Sequence, residues 1–174
     1  RGKWDAFEGG IRIPFVIAGP GIKNGSESAI PVSGSDLLPT IIDLAGNKPI
    51  TLTEIDGGSF APILLNKNNE QIKRTVDGIF FHVPYKNSIA LKRPHSAIRK
   101  GDYKLIKFQD DKSILLFNLV KDKTEQINIA PKKPKKAKEL EKILDHYLIE
   151  VHAPKWQEGI TWKKKHLNEI NSNY

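Results

Sequence analysis

Two charged side chains near the start of the sequence, Glu8 and Arg12, flank a pair of glycines and could be taken for a catalytic pair. Alternatively, Arg12 could contact a substrate directly. We favour a structural role, in which the two charges bond to each other and to backbone groups and so fix the loop that precedes them. Gly9 and Gly10 then supply backbone angles, or a close approach of the chain, that a side chain would forbid.

A second group of candidates is basic and comprises His82, Arg93, His95 and Arg99. The two arginines and His95 could meet an anionic group, and the His82 imidazole could bind hydroxyl groups or a neighbouring acid. The alternative is that each side chain is packed or solvated locally, which is the commoner role for any single one of them. Both interpretations stay open for His82.

Other chemistries are excluded by composition and spacing. The sequence contains no Cys, so this chain has no disulfide, no thiolate metal site and no Cys nucleophile. His146 and His152 lie six residues apart in a predicted helix, a spacing that does not bring two side chains onto one face. We therefore predict no metal ligands within this chain.

The net charge of +8 over 174 residues is unevenly distributed, with −2 in residues 1–65 and +10 in residues 66–174. A basic region of this kind could bind acidic glycans or nucleic acid. However, the Lys-rich run at 131–138 has two prolines and no aromatic residue, which is typical of an exposed loop, and no nucleic-acid partner is expected. The longest uncharged apolar stretch, residues 13–22, is far too short to span a membrane.

Residues 33–46 carry the signals of a helix. Ser35 or Asp36 can cap the free amides at its start, and Gly46 can end it in a left-handed conformation. The apolar positions fall on one face. They are Leu37, Leu38, Ile41, Ile42 and Ala45.

The remaining periodicity predicts strands followed by a helix. The apolar run at 11–18 indicates a buried strand, and further strands are predicted at 78–83, within 96–108 and at 114–119. The last of these pair as a hairpin over residues 103–119. Residues 138–151 repeat apolar side chains at the helical period. An antiparallel sheet with one helix laid across it, an α+β arrangement, is therefore predicted.

The first fourteen residues resemble the second signature of the type I sulfatases, in which a Lys stands five residues before Glu-Gly-Gly-x-Arg-x-Pro. Three further segments follow in the order of that family: DLLPTIIDLAG, DGGSF, and IRKGDYKLI with LFNL after it. Four ordered segments are a far more specific signal than one Glu-Gly-Gly. The residues that match the signature are Lys3, Glu8, Gly9, Gly10, Arg12 and Pro14.

This resemblance covers only the C-terminal part of a sulfatase, and it implies an alkaline-phosphatase-like fold. Residues 1–65 would be the C-terminal portion of the large α/β catalytic domain. Residues 66–174 would be the smaller α+β subdomain. The sheet and helix predicted from the residues alone agree with that assignment.

The resemblance also implies a chemistry, the hydrolysis of a sulfate ester. In the family the nucleophile is a formylglycine made from Cys or Ser in a Cys/Ser-x-Pro-x-Arg motif, held by a divalent cation that is usually calcium. This chain has no such motif, so it is expected to be inactive alone. Lys3 corresponds to the family's catalytic Lys, whose ammonium reaches a sulfate oxygen or the bridging oxygen.

The resemblance finally implies partners and a location. The missing N-terminal part of the same protein would supply the nucleophile and the cation, and the substrate would be a sulfated carbohydrate bound with the help of His82, Arg93 and Arg99. The whole enzyme would be periplasmic or secreted. Two alternatives stay open: a related phosphodiesterase or phosphonate hydrolase, and a basic module that binds glycans or nucleic acid without catalysis.

Overall fold

The computed structural model describes residues 5–46, 55–66, 71–86 and 93–156. Their contacts divide them into two units. We call the described residues of 5–13 and 78–156 the sheet unit, and those of 14–77 the helical unit. The expected division at residues 65 and 66 concerns the longer sulfatase fold, and it stays a prediction.

The sheet unit is built on four antiparallel strands that lie side by side in chain order. Their register alternates the side chains between two faces. One face carries Ile98 of the second strand and Leu105 of the third, and the other carries Ala97 and Ile106. The strands are β1 (Ile79–Val83), β2 (His95–Lys100), β3 (Tyr103–Phe108) and β4 (Ile114–Asn118).

The turns between the strands lie where the sequence indicates them. Gly101 has a φ of 55° in the tight turn from β2 to β3, a conformation that favours glycine. The chain from β3 to β4 turns at residues 109–113, where the Phe108 amide donates to the Ser113 carbonyl at 2.9 Å. The predicted strand pair and the predicted hairpin over 103–119 are both confirmed.

A long helix, Pro134–Glu150, covers one face of the sheet. It begins earlier than predicted, because Pro134 fits the first helical turn, where a missing amide hydrogen costs nothing. Leu140 and Leu144 are fully buried against the sheet, and the Tyr147 ring stacks on Phe80 with centroids 3.8 Å apart. The predicted sheet with one covering helix is therefore confirmed.

The opposite face of the sheet is covered by the start of the chain. Ala6 and Phe7 are buried against Ile106 and Phe117. Directly after them comes a single helical turn, Glu8–Ile11. Residues 5–8 of the segment that resembles the sulfatase signature are therefore buried in the sheet unit.

The first regular secondary structure of the helical unit is a 3-10 turn, Gly34–Asp36, that leads into a helix, Leu37–Leu44. Gly46 ends that helix with a φ of 71°, as predicted. A further short helix, Ala61–Leu64, packs on it. We number the four α-helices in chain order: α1 Glu8–Ile11, α2 Leu37–Leu44, α3 Ala61–Leu64 and α4 Pro134–Glu150.

The predicted buried strand over residues 11–18 is wrong for this structure. Residues 12–19 form no strand, and Val16 is 90% exposed. A strand needs a neighbour to pair with, and none of the four described strands pairs with this run. Across the described ranges, no helix is long and apolar enough to cross a membrane.

Candidate functional site

The segment that follows Lys3 is attached to the sheet at successive residues. Lys3 itself lies outside the described residues. The Ala6 amide donates to His95 Nε2 at 3.2 Å, and the Phe7 amide donates to Asp5 Oδ1 at 3.0 Å. The Phe7 ring packs on Phe117 with centroids 5.9 Å apart. Residues 6 and 7, which follow Lys3 closely in the sequence, are therefore held against the sheet.

A buried cluster of charges holds the next residue, Glu8. Its carboxylate accepts a hydrogen bond from Lys104 Nζ at 2.9 Å, and its amide donates to Glu125 Oε2 at 2.7 Å. Lys104 Nζ also lies 2.5 Å from Glu125 Oε1. The Lys104 side chain is fully buried between the two carboxylates. A buried ammonium must be paired in this way, because desolvation of an unpaired charge is very costly.

Two arginines lie beside Glu8 at longer range. Arg12 Nη1 is 3.8 Å from Glu8 Oε2, and its side chain is 68% exposed. Arg99 Nη1 is 3.6 Å from the same oxygen, and its buried Nε has no hydrogen-bond partner within the described residues. Glu8 and Arg12 thus pair with each other, as the structural interpretation of the sequence predicts.

His82 is bonded at both ring nitrogens. Nε2 lies 2.7 Å from the Pro154 carbonyl, so Nε2 carries the hydrogen, and Nδ1 accepts from the Ser96 hydroxyl at 2.8 Å. Gln109 Nε2 donates to the same hydroxyl at 2.7 Å. Burial lowers the pKa of His82 and outweighs the Pro154 carbonyl, which raises it. The imidazole is therefore neutral near pH 7. Its hydrogen bond to Pro154 connects the segment that follows α4 to the sheet.

Arg93 is paired with two neighbouring carboxylates. Nε and Nη2 donate to Asp110 at 2.9 and 2.6 Å, and Nη2 also lies 2.6 Å from Asp111 Oδ1. The guanidinium lies 3.9 Å from the centre of the Phe108 ring. The hydrogen bonds that Arg93 donates to Asp110 raise the pKa of Arg93 above its ordinary value. Its positive charge is already matched within the protein.

The structure does not bring these predicted substrate-binding residues together. His82 pairs with Ser96 across the β1–β2 ladder, whereas Arg99 pairs with Ile79 three residues away, so the two side chains lie on opposite faces. Arg99 shares its face with His95 and Glu8, while His82 lies on the face of α4. Arg99 is thus the member of the predicted set that lies beside the signature segment.

Two residues of this site, Lys104 and Glu125, were not singled out from the sequence. His95 was named as a candidate, but its hydrogen bond with the Ala6 amide was not predicted. Lys104 belongs to the run Lys-Leu-Ile, where a lysine in a strand normally indicates a solvated position. The signal that could have identified Lys104 is the alternation of side chains between the two faces of a strand. Lys104 shares its face with Ile106 and Phe108, which are buried. A charge on the buried face of a strand predicts a buried partner.

The helical unit has its own buried hub at Asp36. Arg74 Nε and Nη2 bind the two carboxylate oxygens at 2.8 and 2.7 Å, and the amides of Gly58 and Ser33 donate to them at 2.9 and 2.7 Å. Burial alone would raise the pKa of Asp36, but these hydrogen bonds outweigh it and the pKa is lowered. The sequence predicted that Ser35 or Asp36 caps the helix start. The N-cap residue is instead Ser33, and Asp36 completes a capping box by accepting from the Ser33 amide.

Two glycines allow loops of the helical unit to approach the hub. A Cβ on Gly57 would lie 2.0 Å from the Ser35 carbonyl oxygen, and one on Gly58 would lie 2.1 Å from the Lys73 carbonyl oxygen. Neither distance is compatible with a side chain. The Asp-Gly-Gly-Ser-Phe segment is therefore explained by backbone packing around Asp36.

The described part of the chain offers no group of three or more His, Cys, Asp or Glu residues arranged to hold a metal ion. The calcium implied by the family therefore finds no ligand set among these residues. No step of the chemistry below is derived through it.

The buried His95 and the half-buried His82 predict a pH dependence of stability. Burial lowers the pKa of His95, against the opposing effects of the Arg93 carbonyl and Asp5, so the folded state binds a proton less readily than the unfolded chain. The free energy of unfolding should therefore fall as the pH falls below the ordinary value of 6.5. The steepest slope for one such residue is about 1.4 kcal/mol per pH unit.

Urea unfolding at pH 7.5 and 5.5 measures this effect. His95→Gln should flatten the dependence, whereas His146→Gln, at an exposed position, should leave it unchanged. An unaltered slope in His95→Gln would contradict the assignment of this loss to His95.

The chain matches the family described as N-sulphoglucosamine sulphohydrolase, C-terminal, over residues 3–154. That range is most of the chain and begins at Lys3. The chain belongs to this family. The resemblance to the C-terminal part of type I sulfatases is thereby confirmed.

Individual relatives agree. The sulfatase chain is 31% identical over 172 residues to arylsulfatase K of Danio rerio, which covers 93% of this chain and 32% of that protein. A structure of a putative sulfatase from Bacteroides thetaiotaomicron VPI-5482 is 26% identical with a TM-score of 0.69, covering 86% of this chain and 32% of the other. A structure of a 2-O GAG sulfatase is 25% identical with a TM-score of 0.65, covering 87% and 33%. The chain spans about a third of the length of these relatives.

Proposed function

We propose that this chain is the C-terminal part of an enzyme that hydrolyses sulfate esters on a carbohydrate, and that Lys3 is one of its catalytic residues. The observation that carries the proposal is the attachment of residues 5–8 to the sheet at the point where the family match begins. The substrate class is supported by the 2-O GAG sulfatase among similar structures.

The chemistry assigned to Lys3 follows from charge. Attack on the sulfur of a sulfate ester increases negative charge on the sulfuryl oxygens and on the oxygen that leaves. An ammonium directed at either position stabilises the transition state more than the ground state. The family's formylglycine would supply the attacking oxygen from another part of the protein.

The missing N-terminal part of the protein is the proposed partner of the helical unit. One face of α2 is apolar yet uncovered, with Ile41 61% exposed, and the apolar run at 12–19 is also exposed. Exposed apolar patches of this kind mark interfaces. We propose that the rest of the large α/β catalytic domain covers both.

We also propose an order among the predicted substrate-binding residues. Arg93 is neutralised by Asp110 and Asp111, and both nitrogens of His82 are bonded inside the protein. Arg99 lies beside Glu8, and its Nε has no hydrogen-bond partner in the part of the chain that the structure describes. Arg99 is therefore the strongest candidate for contact with an anionic sugar. His82 and Arg93 are weaker candidates. A periplasmic or secreted location is proposed from the family.

Release of inorganic sulfate by the full-length protein tests this function. We expect sulfate from 2-O-sulfated glycosaminoglycan or 6-O-sulfated N-acetylglucosamine substrates and from a generic aryl sulfate, and no activity from the isolated chain of residues 1–174. Matched aryl phosphate and phosphonate esters serve as the comparison. A kcat/KM for the phosphonate that exceeds every sulfate ester would overturn the sulfatase proposal.

A further inference from the structure

The buried charge cluster of Glu8, Lys104 and Glu125 lies within the core of the sheet unit, away from solvent. Lys104 Nζ contacts a carboxylate oxygen of each glutamate, at 2.9 Å for Glu8 and 2.5 Å for Glu125. Glu125 also contacts Glu8 directly, because its Oε2 accepts a hydrogen bond from the Glu8 amide at 2.7 Å. Glu8 is therefore held both by its side chain and by its backbone.

Such a cluster is a poor way to gain stability. Desolvation of buried charges can exceed the attraction between them, and well-packed apolar residues often stabilise a core as much or more. Unlike an apolar contact, however, a charge pair with hydrogen bonds fixes direction and register. The arrangement is therefore better explained by a requirement for position than by a requirement for stability.

The residue whose position is at stake is close along the chain. Asp5 is the first described residue, and Lys3 precedes it by two. The hydrogen bonds at Ala6, Phe7 and Glu8 therefore restrain the backbone that directly follows Lys3 in the sequence.

We propose that Lys104 is a positioning residue for sulfate ester hydrolysis: with Glu125 it clamps Glu8, and through this clamp it fixes the segment that carries Lys3. This inference rests on the proposed function of the whole protein. Displacement of a catalytic group by about 1 Å can lower a rate by about 100-fold. The clamp therefore acts on kcat through Lys3 and leaves substrate affinity nearly unchanged.

The test is a set of variants in the full-length enzyme, assayed by sulfate release. Lys104→Met should lower kcat by about 10- to 100-fold with KM changed by less than about threefold. Lys107→Met is the matched control, because Lys107 lies on the same strand but faces α4, where it pairs with Glu141 and Asp145. That control should keep kcat within about twofold of wild type.

Combination with Lys3→Ala separates positioning from general damage. If Lys104 acts through Lys3, the double variant Lys3→Ala, Lys104→Met should be no slower than Lys3→Ala alone, because the clamp no longer has a group to position. Multiplication of the two losses would overturn the proposal. So would a Lys104→Met enzyme that folds and turns over normally.

A second variant covers the case in which Lys104→Met does not fold. Glu8→Gln, Lys104→Met and Glu125→Gln together remove every charge of the cluster and nearly preserve its shape, so folding should survive. A tenfold or larger loss of kcat in the folded triple variant supports the clamp, and an unchanged kcat overturns it. Absence of sulfate release by the wild-type enzyme would instead refute the proposed function, so the two failures are distinguishable.

Discussion

Replacement of Lys3 by alanine in the full-length enzyme should lower kcat by about 100- to 1,000-fold, the usual cost of removing a group that stabilises transition-state charge. The reason is electrostatic, because the ammonium opposes the negative charge that develops as the sulfate ester bond breaks. Folding should be intact, since Ala6 and Phe7 make the described core contacts of this segment. The loss should grow with poorer leaving groups if Lys3 acts on the bridging oxygen.

Steady-state kinetics and thermal unfolding of the same preparations check this prediction. Lys3→Arg keeps the charge but changes its geometry, and it should recover only part of the activity. Lys23→Ala removes a lysine outside the signature and serves as the control. Near-normal turnover in a folded Lys3→Ala enzyme would remove Lys3 from the mechanism.

Replacement of Asp36 by alanine should destabilise the helical unit by about 3–5 kcal/mol, the usual cost of breaking a buried ion pair by removing one partner. Asp36 has a fully buried side chain that accepts from Arg74, Gly58 and Ser33. Without it the Arg74 guanidinium stays buried and uncompensated. The loop at Gly57 and Gly58 loses its anchor at the same time.

Denaturant unfolding of the Asp36→Ala protein, compared with wild type, measures this loss. Asp43→Ala on the same helix is the matched control, because Asp43 is exposed and bonds only the Ser59 hydroxyl in the described structure, at 2.6 Å. It should cost less than about 1 kcal/mol. Because the pKa of Asp36 is lowered, its contribution should be complete above the ordinary value of 3.8 and fade as the pH falls below it. Equal stabilities of the two variants would contradict the hub.

The elements that the sequence predicts best are those with a clear period and local punctuation. Helix α4 carries its apolar side chains at helical spacing, and the turn at Gly101 separates two strands that pair with each other as predicted. These signals are local, since each strand and its neighbour are adjacent in the chain. The antiparallel sheet with its covering helix was therefore predictable.

The run at 11–18 shows where local reasoning fails. Its β-branched, apolar composition predicts a buried strand, yet composition does not specify which segment pairs with it. In the described structure it has no such neighbour and is exposed. The apolar face of α2 is likewise exposed, because no described segment packs over it. Both features are those expected of surfaces that the rest of a longer sulfatase covers.

The candidate site was predictable only in part. The signature around Glu8 and Gly9 identified the segment, but the residues that hold it, Lys104 and Glu125, are 96 and 117 positions away. The same is true of Arg74, which is 38 positions from Asp36. Pairs at such separations depend on the folded topology, which no local pattern in a single sequence reveals.

The most direct test of the central claim is to identify the sequence that precedes Arg1 in the source protein, by intact mass and peptide sequencing. We expect a Cys/Ser-x-Pro-x-Arg motif whose first residue has the mass of formylglycine, with Asp and Asn residues able to bind calcium. That result would join Lys3 to a nucleophile in one active site. A native protein that begins near Arg1 would contradict the account, because this chain could not then hydrolyse a sulfate ester by the mechanism described.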